Sequence, residues 1–151
     1  MKVFIDTNIF AEYIFDREQS ASVQKLFQAI EAREFEAITS TASIYTMTYI
    51  SEQMLKQKGI HRPELTEQVR KIIDSLLLLV HIGNMEHSDM MDAAKDSSFS
   101  DIEDAFQYHC ALRNQCNFLI TINIKDFSKA NPDLLKVITP NDFANNYLIY
   151  V

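Results

Sequence analysis

Short apolar runs alternate with longer stretches of helical periodicity along this chain, and that alternation constrains the fold more than any other feature. The first run, Val3-Phe4-Ile5, passes directly into Asp6, Thr7 and Asn8. Residues 2–6, 36–39, 78–82, 117–122 and 136–139 read as strands. Helices are expected over 8–15, 20–33, 41–58, 63–77 and 86–95, with another from Ser100 and a short last one opened by Thr139-Pro140-Asn141-Asp142. In the 20–33 segment Val23, Leu26, Phe27 and Ile30 recur at helical spacing. In the 41–58 segment Ile44, Met47, Ile50, Met54 and Leu55 should turn inward, and Gly59 should cap the C-terminus. Ser100 and Glu103 have capping-box spacing, which makes Ser100 the expected N-cap. Strands that alternate with helices predict an α/β fold with a short parallel sheet covered on both faces. The chain has only two glycines and three prolines, too few turn formers for an all-β barrel or sandwich. Residues 1–151 are read as a single domain.

The formal net charge is −7 and the pI is near 5.0. Broad binding to phosphate backbones needs a basic surface, so that class is disfavoured. Cys110 and Cys116 form no zinc pattern, and nothing at the start of the sequence has the character of a signal peptide. They are expected to be reduced, in a cytoplasmic protein. The longest apolar run, residues 76–80, is far too short to cross a bilayer.

The carboxylates carry the chemical signal. Asp6 sits at the C-terminal end of a strand, where α/β proteins bind ligands. A carboxylate buried there costs free energy unless something pairs with it. Asp101 and Asp104, spaced i and i+3, share one flank of a helix. Ile102, Ala105, Phe106 and His109 should face the core from the other side. The 117–122 strand ends at Thr121, with Asn123 and Asp126 just beyond. Parallel strands emerge at one edge, so Asp6, Asn123 and Asp126 are expected to converge with the first turn of the Ser100 helix. Gathered carboxylates repel one another unless a cation binds, and oxygen ligands of this kind suit Mg²⁺ or Mn²⁺. Hydrolysis of a phosphodiester is the natural chemistry of such a centre.

Three segments, Val3-Phe4-Ile5-Asp6-Thr7-Asn8, Ser100-Asp101-Ile102-Glu103-Asp104-Ala105 and Thr121-Ile122-Asn123-Ile124-Lys125-Asp126-Phe127, together resemble the PIN domain. The closing Thr139-Pro140-Asn141-Asp142-Phe143 is similar to its C-terminal segment, and order and spacing match over nearly the whole chain. The resemblance implies a three-layer α/β/α sandwich and Mg²⁺- or Mn²⁺-dependent endoribonuclease activity on single-stranded or structured RNA. It also implies kinship with VapC-type toxins, which are held by a small antitoxin and often form homodimers. Carried over by position, Asp6 and Asp104 are the metal ligands and catalytic carboxylates. Asp101 is the next candidate, directly or through water. Thr7 and Asn8 would orient Asp6, and Thr46, Thr121, Asn123 and Asp126 would line the site. One position departs from the family. Thr46 stands where a Glu is usual, and no acid lies between Glu36 and Glu52. A catalytically weakened module that binds nucleic acid or protein is therefore the alternative reading, with Glu12 on the first helix as a possible substitute for the lost charge.

The remaining polar and aromatic residues take plainer readings. His109 should pack near the core with a satisfied hydrogen bond, and His61, His81 and His87 share no metal-binding spacing. Tyr45, Tyr49 and Tyr108 are expected to pack helices together in preference to stacking bases. Lys56, Lys58, His61 and Arg62 read as a solvated helix end, and Met90-Met91 as core or interface filling. Use of Asp6 as a phosphoryl-accepting nucleophile is disfavoured, since no second Asp follows two residues later and no Lys is suitably placed.

Overall fold

The computed structural model describes residues 1–15 and 20–148. In chain order the elements are β1 (Lys2–Ile5), α1 (Thr7–Phe15), α2 (Ala21–Glu31), β2 (Glu36–Ser40), α3 (Thr41–Gln57), α4 (Glu64–Leu79), β3 (His81–Gly83), α5 (His87–Lys95), α6 (Ile102–Arg113), β4 (Phe118–Ile120), β5 (Lys136–Ile138) and α7 (Pro140–Tyr147). A single 3₁₀ turn, Ile124–Phe127, follows β4.

All five strands are parallel, in the order β3-β2-β1-β4-β5. Phe4 of β1 pairs with Ile38 of β2 on one side and Leu119 of β4 on the other. Side chains alternate along each strand, and the two faces bury different cores. Val3, Ile5, Phe118, Ile120 and Ile138 pack with α1, α2, Met47 of α3, Leu76 of α4 and Phe143 of α7. Phe4, Ile38 and Leu119 pack with α5 and α6 through Ala93, Ala105, Tyr108 and Ala111. Two helical layers therefore enclose the sheet, which is the three-layer sandwich expected from the sequence. β1 lies at its centre, and the strand order runs outward from it in both directions. Its C-terminal end is thus the topological switch point, where a crevice opens.

Local chemistry sets most boundaries. The Ser20, Ser40 and Thr139 side chains accept from the backbone N–H groups of Val23, Ser43 and Asp142 and start α2, α3 and α7. Gly59, at φ +79°, turns the chain after α3.

Four expectations are corrected. The 78–82 strand is displaced, because α4 continues to Leu79 and only His81–Gly83 joins the sheet. The Val80 N–H still donates to the Leu76 carbonyl, which holds the leucine run in the helix. A short apolar run has no period that separates strand from buried helix. The cap of α6 is Asp101 in place of Ser100, its carboxylate accepting from the Glu103 N–H at 2.8 Å. The buried side of α6 carries Ala105, Gln107, Tyr108, Cys110 and Ala111, while Ile102 is exposed and Phe106 and His109 are half-buried. On α3, Met47 and Leu55 are buried as expected. Ser43 and Ser51 share that face, and Ile44, Ile50 and Met54 are only half-buried.

Gly83 ends β3 against α6. A Cβ there would meet Asn114 Nδ2 at 2.8 Å and Cys110 Sγ at 3.1 Å. Asn114 cannot simply swing aside, since its amide donates to the carbonyls of Asn84 and Cys110. Gly83→Ala should therefore destabilise the protein by about 1–3 kcal/mol, measured by urea denaturation.

Candidate functional site

Asp6 follows β1 directly. Its N–H donates to the Ile120 carbonyl at 3.1 Å, which fixes it between β1 and β4 at the sheet edge. The side chain is 5% exposed, and donors surround its carboxylate. Oδ1 accepts from the Thr7 N–H at 2.7 Å and from Gln107 Nε2 at 3.3 Å. Oδ2 accepts from Thr121 Oγ1 at 2.7 Å and from Asn8 Nδ2 at 3.1 Å. Burial pushes its pKa above the usual carboxylate range, and these four bonds oppose the shift. Asn8 is held in turn, donating to Thr121 Oγ1 at 3.2 Å and accepting from the Ile122 N–H at 3.4 Å.

Behind Asp6 lies a layer that the sequence reading missed. Gln107, 1% exposed, donates to Ser43 Oγ at 2.6 Å and to Thr7 Oγ1 at 3.0 Å. Its carbonyl oxygen accepts from the Ser40 hydroxyl. Thr7 and Ser43 hydroxyls lie 2.8 Å apart. The inward turn of Gln107 is possible because each of its polar atoms finds a partner. The available signal was Gln107, three residues beyond Asp104 on the flank of the acids, and Ser43, four before Met47 on the face assigned to the core.

Above this layer opens a cleft of about 350 Å³, lined by Asp6, Thr7, Asn8, Thr46, Asp101, Asp104, Asn123 and Asp126, with Glu103 and Gln107 as unforeseen members. Thr121 is fully buried beneath it. The anticipated residues are thus brought together. Asp104 is half-buried, and its pKa is raised to about 6, first by burial and then by the charges of Asp6, Asp101, Asp126 and Glu103. One oxygen of Asp101 is taken up by the helix cap. Glu12 does not supply the missing charge: it is absent from the cleft wall, and its carboxylate accepts from the Ser20 N–H at 3.3 Å. Thr46 lines the cleft with a neutral hydroxyl. Among the described residues, no three His, Cys, Asp or Glu side chains are grouped closely enough to hold an ion unaided.

The other residues singled out from the sequence lie elsewhere. A larger groove of about 720 Å³ lies between α3 and α4, and four of its charged side chains meet in surface ion pairs, Arg62–Glu52 at 2.7 Å and Arg70–Glu67 at 2.6 Å. No buried acid turns into it. Lys56 also pairs with Glu52, at 3.8 Å. His109 meets Asp96 at 2.8 Å, as expected. Cys110 and Cys116 are free and buried. Tyr108 packs in the core, but Tyr45 and Tyr49 are 72% and 64% exposed and do not pack helices together. Met90 and Met91 are likewise exposed and fill no core. Among the described residues, no helix is long and apolar enough to cross a membrane.

Two comparisons with known proteins bear on this arrangement. A family model described as PIN domain matches residues 2–125, a span that holds all of the cleft except Asp126. Ribonuclease VapC1 of Aquifex aeolicus (strain VF5) is 27% identical over 150 residues, covering 97% of this chain and 95% of that protein.

The like charges around Asp104 have a thermodynamic signature in the metal-free protein. A carboxyl whose folded pKa is raised holds its proton more tightly in the folded than in the unfolded state. Its ionisation therefore destabilises the fold as pH rises from 3.8 towards about 6. Asp104→Asn removes that penalty. With solvent screening of a half-buried group, it should stabilise the protein by about 1 kcal/mol at pH 7. The difference should vanish below about pH 4, where both states are protonated. Urea denaturation with a chelator present, at the two pH values, measures both.

Proposed function

This chain belongs to the PIN domain family, and from that premise we propose that it is a divalent-metal-dependent endoribonuclease, the toxin of a toxin–antitoxin pair. The observation that carries the reading is the buried Asp6 at the switch point of the sheet, with Asp104 electrostatically coupled to it across an acidic cleft. The relative's name, a ribonuclease, supports the same chemistry. The substrate is RNA, single-stranded or structured. A small antitoxin is the protein partner, and the chain works as a single domain, residues 1–151, in a cytoplasmic homodimer.

The donor chemistry fits Mg²⁺ or Mn²⁺. The cleft offers only oxygen ligands, and its like charges would be relieved by a cation. Mg²⁺ commonly takes one or two carboxylates and keeps several waters, so a closed three-carboxylate cage is not needed. Asp6 and Asp104 would hold the ion, with Asp101 acting directly or through water. A bound ion supplies charge neutralisation at the phosphodiester and lowers the pKa of water.

The chain's own residues do the positioning. A carboxylate has about four lone-pair sites, and those of Asp6 already receive four donors. Thr7 and Thr121, with the short bonds, fix its plane. The longer bonds from Gln107 and Asn8 are the ones an ion would displace. Asp104 reaches the cleft from the first turn of α6, and Gln107 on the same helix anchors that turn against Thr7 and Ser43. Deprotonation of Asp104 completes the negative site, so metal binding should strengthen as pH rises through about 6.

Cleavage of an unstructured RNA oligonucleotide tests the proposal. Wild type should cut in Mn²⁺ or Mg²⁺ and stop on chelation. Asp6→Asn and Asp104→Asn should each lose about a hundred-fold or more in rate while remaining folded by circular dichroism. If both cut as well as wild type, the site assignment is wrong.

A second reading, a weakened binding module, is favoured by one feature: Thr46 brings no charge to the cleft. Thr46→Glu decides between them. A variant that cleaves where the natural chain binds RNA without cutting it supports the module, whereas cleavage by the natural chain refutes it.

A further inference from the structure

Tyr45 and Tyr49 stand on α3, 72% and 64% exposed, on the wall that supplies the cleft with Thr46 and Ile50. Each Tyr precedes a cleft residue by one position, which places it about 100° around the helix, on the outer rim. Beside Tyr45 is a recess of about 330 Å³, with Met85, Met90 and Phe106 as its apolar walls and no charged side chain among those that line it. Recess and cleft adjoin through a shared element, since Ser40 lines the recess and its hydroxyl holds the Gln107 that touches Asp6.

An RNA strand approaching this cleft meets an acidic protein, so phosphate contacts contribute little affinity. Nucleobases are uncharged and stack on aromatic rings whatever the surrounding charge. We propose that Tyr45 and Tyr49 form a stacking platform for unpaired nucleobases of the RNA strand whose phosphate lies in the cleft, and that the recess beside Tyr45 receives one of those bases. The proposal rests on the ribonuclease reading and adds the residues that grip the substrate. The two tyrosines are separated by about 6 Å along the helix axis, wider than the 3.4 Å spacing of stacked bases. The platform therefore takes splayed bases of a single strand and rejects a duplex, whose bases stay stacked and inward.

The test is equilibrium binding of the full chain to unstructured RNA, with Ca²⁺ in place of Mg²⁺ or Mn²⁺ to hold cleavage back. The chain has no Trp and six Tyr, so quenching of tyrosine emission by RNA that is lost in the Tyr45→Ala and Tyr49→Ala variants reports stacking on these two rings. Tyr45→Ala and Tyr49→Ala should each weaken binding roughly five- to a hundred-fold, the range for loss of one stacked base. Tyr45→Phe and Tyr49→Phe should restore it, because the ring is kept. An oligonucleotide of abasic sites should bind wild type weakly and be insensitive to the Ala changes. Ala variants that bind intact RNA as tightly as a wild type that cleaves it overturn the platform and leave the ribonuclease reading standing. Ala variants that split a dimer with RNA affinity per protomer unchanged overturn it in favour of self-association. A wild type that neither binds nor cleaves RNA in any divalent ion removes the ribonuclease reading, and this proposal with it.

Discussion

The burial of one ionisable carboxylate organises this molecule. Asp6 sits where water cannot solvate it, so the protein must supply the donors itself. They come from well-separated parts of the chain: the first turn of α1, the interior of α6 and the end of β4. Each donor is locked by further partners. The switch point of the sheet is thus a polar knot tied through α1, α3, α6 and β4, although the elements around it are joined by apolar packing.

Such a knot offsets part of the cost of burying a carboxylate. Desolvation and like charge work against the ionised forms of Asp6 and Asp104, the groups that the proposed chemistry needs. The cost is borne by a core closed on both faces of the sheet. Function and stability pull in opposite directions at these acids, as is common where charges are gathered for catalysis.

The fold was largely legible in the sequence, because parallel strands buried on both faces appear as short apolar runs. The errors fell where local patterns are degenerate. Leu76 to Leu79 suits a helix as well as a strand, and Ser100 and Asp101 are both competent caps. The acids lining the cleft were legible for a different reason: Asp6 at a strand end has no packing role, and Asp101 and Asp104 share one helix flank. Gln107, Ser40 and Ser43 were not, since a buried polar side chain is intelligible only once its partners are known. Tyr45 and Tyr49 were misjudged for another reason: aromatic rings on a helix ordinarily face the core, although the inward stripe of Ile44, Met47 and Ile50 leaves these two on the opposite side.

The outer strands of the sheet have a consequence for how copies of this protein can meet. β3 and β5 are each three residues long. A border that brief offers an incoming chain too few open amide and carbonyl groups for ladder growth. Association by strand addition is thereby discouraged at both ends, and helical surfaces are left as the broad areas through which another molecule can attach.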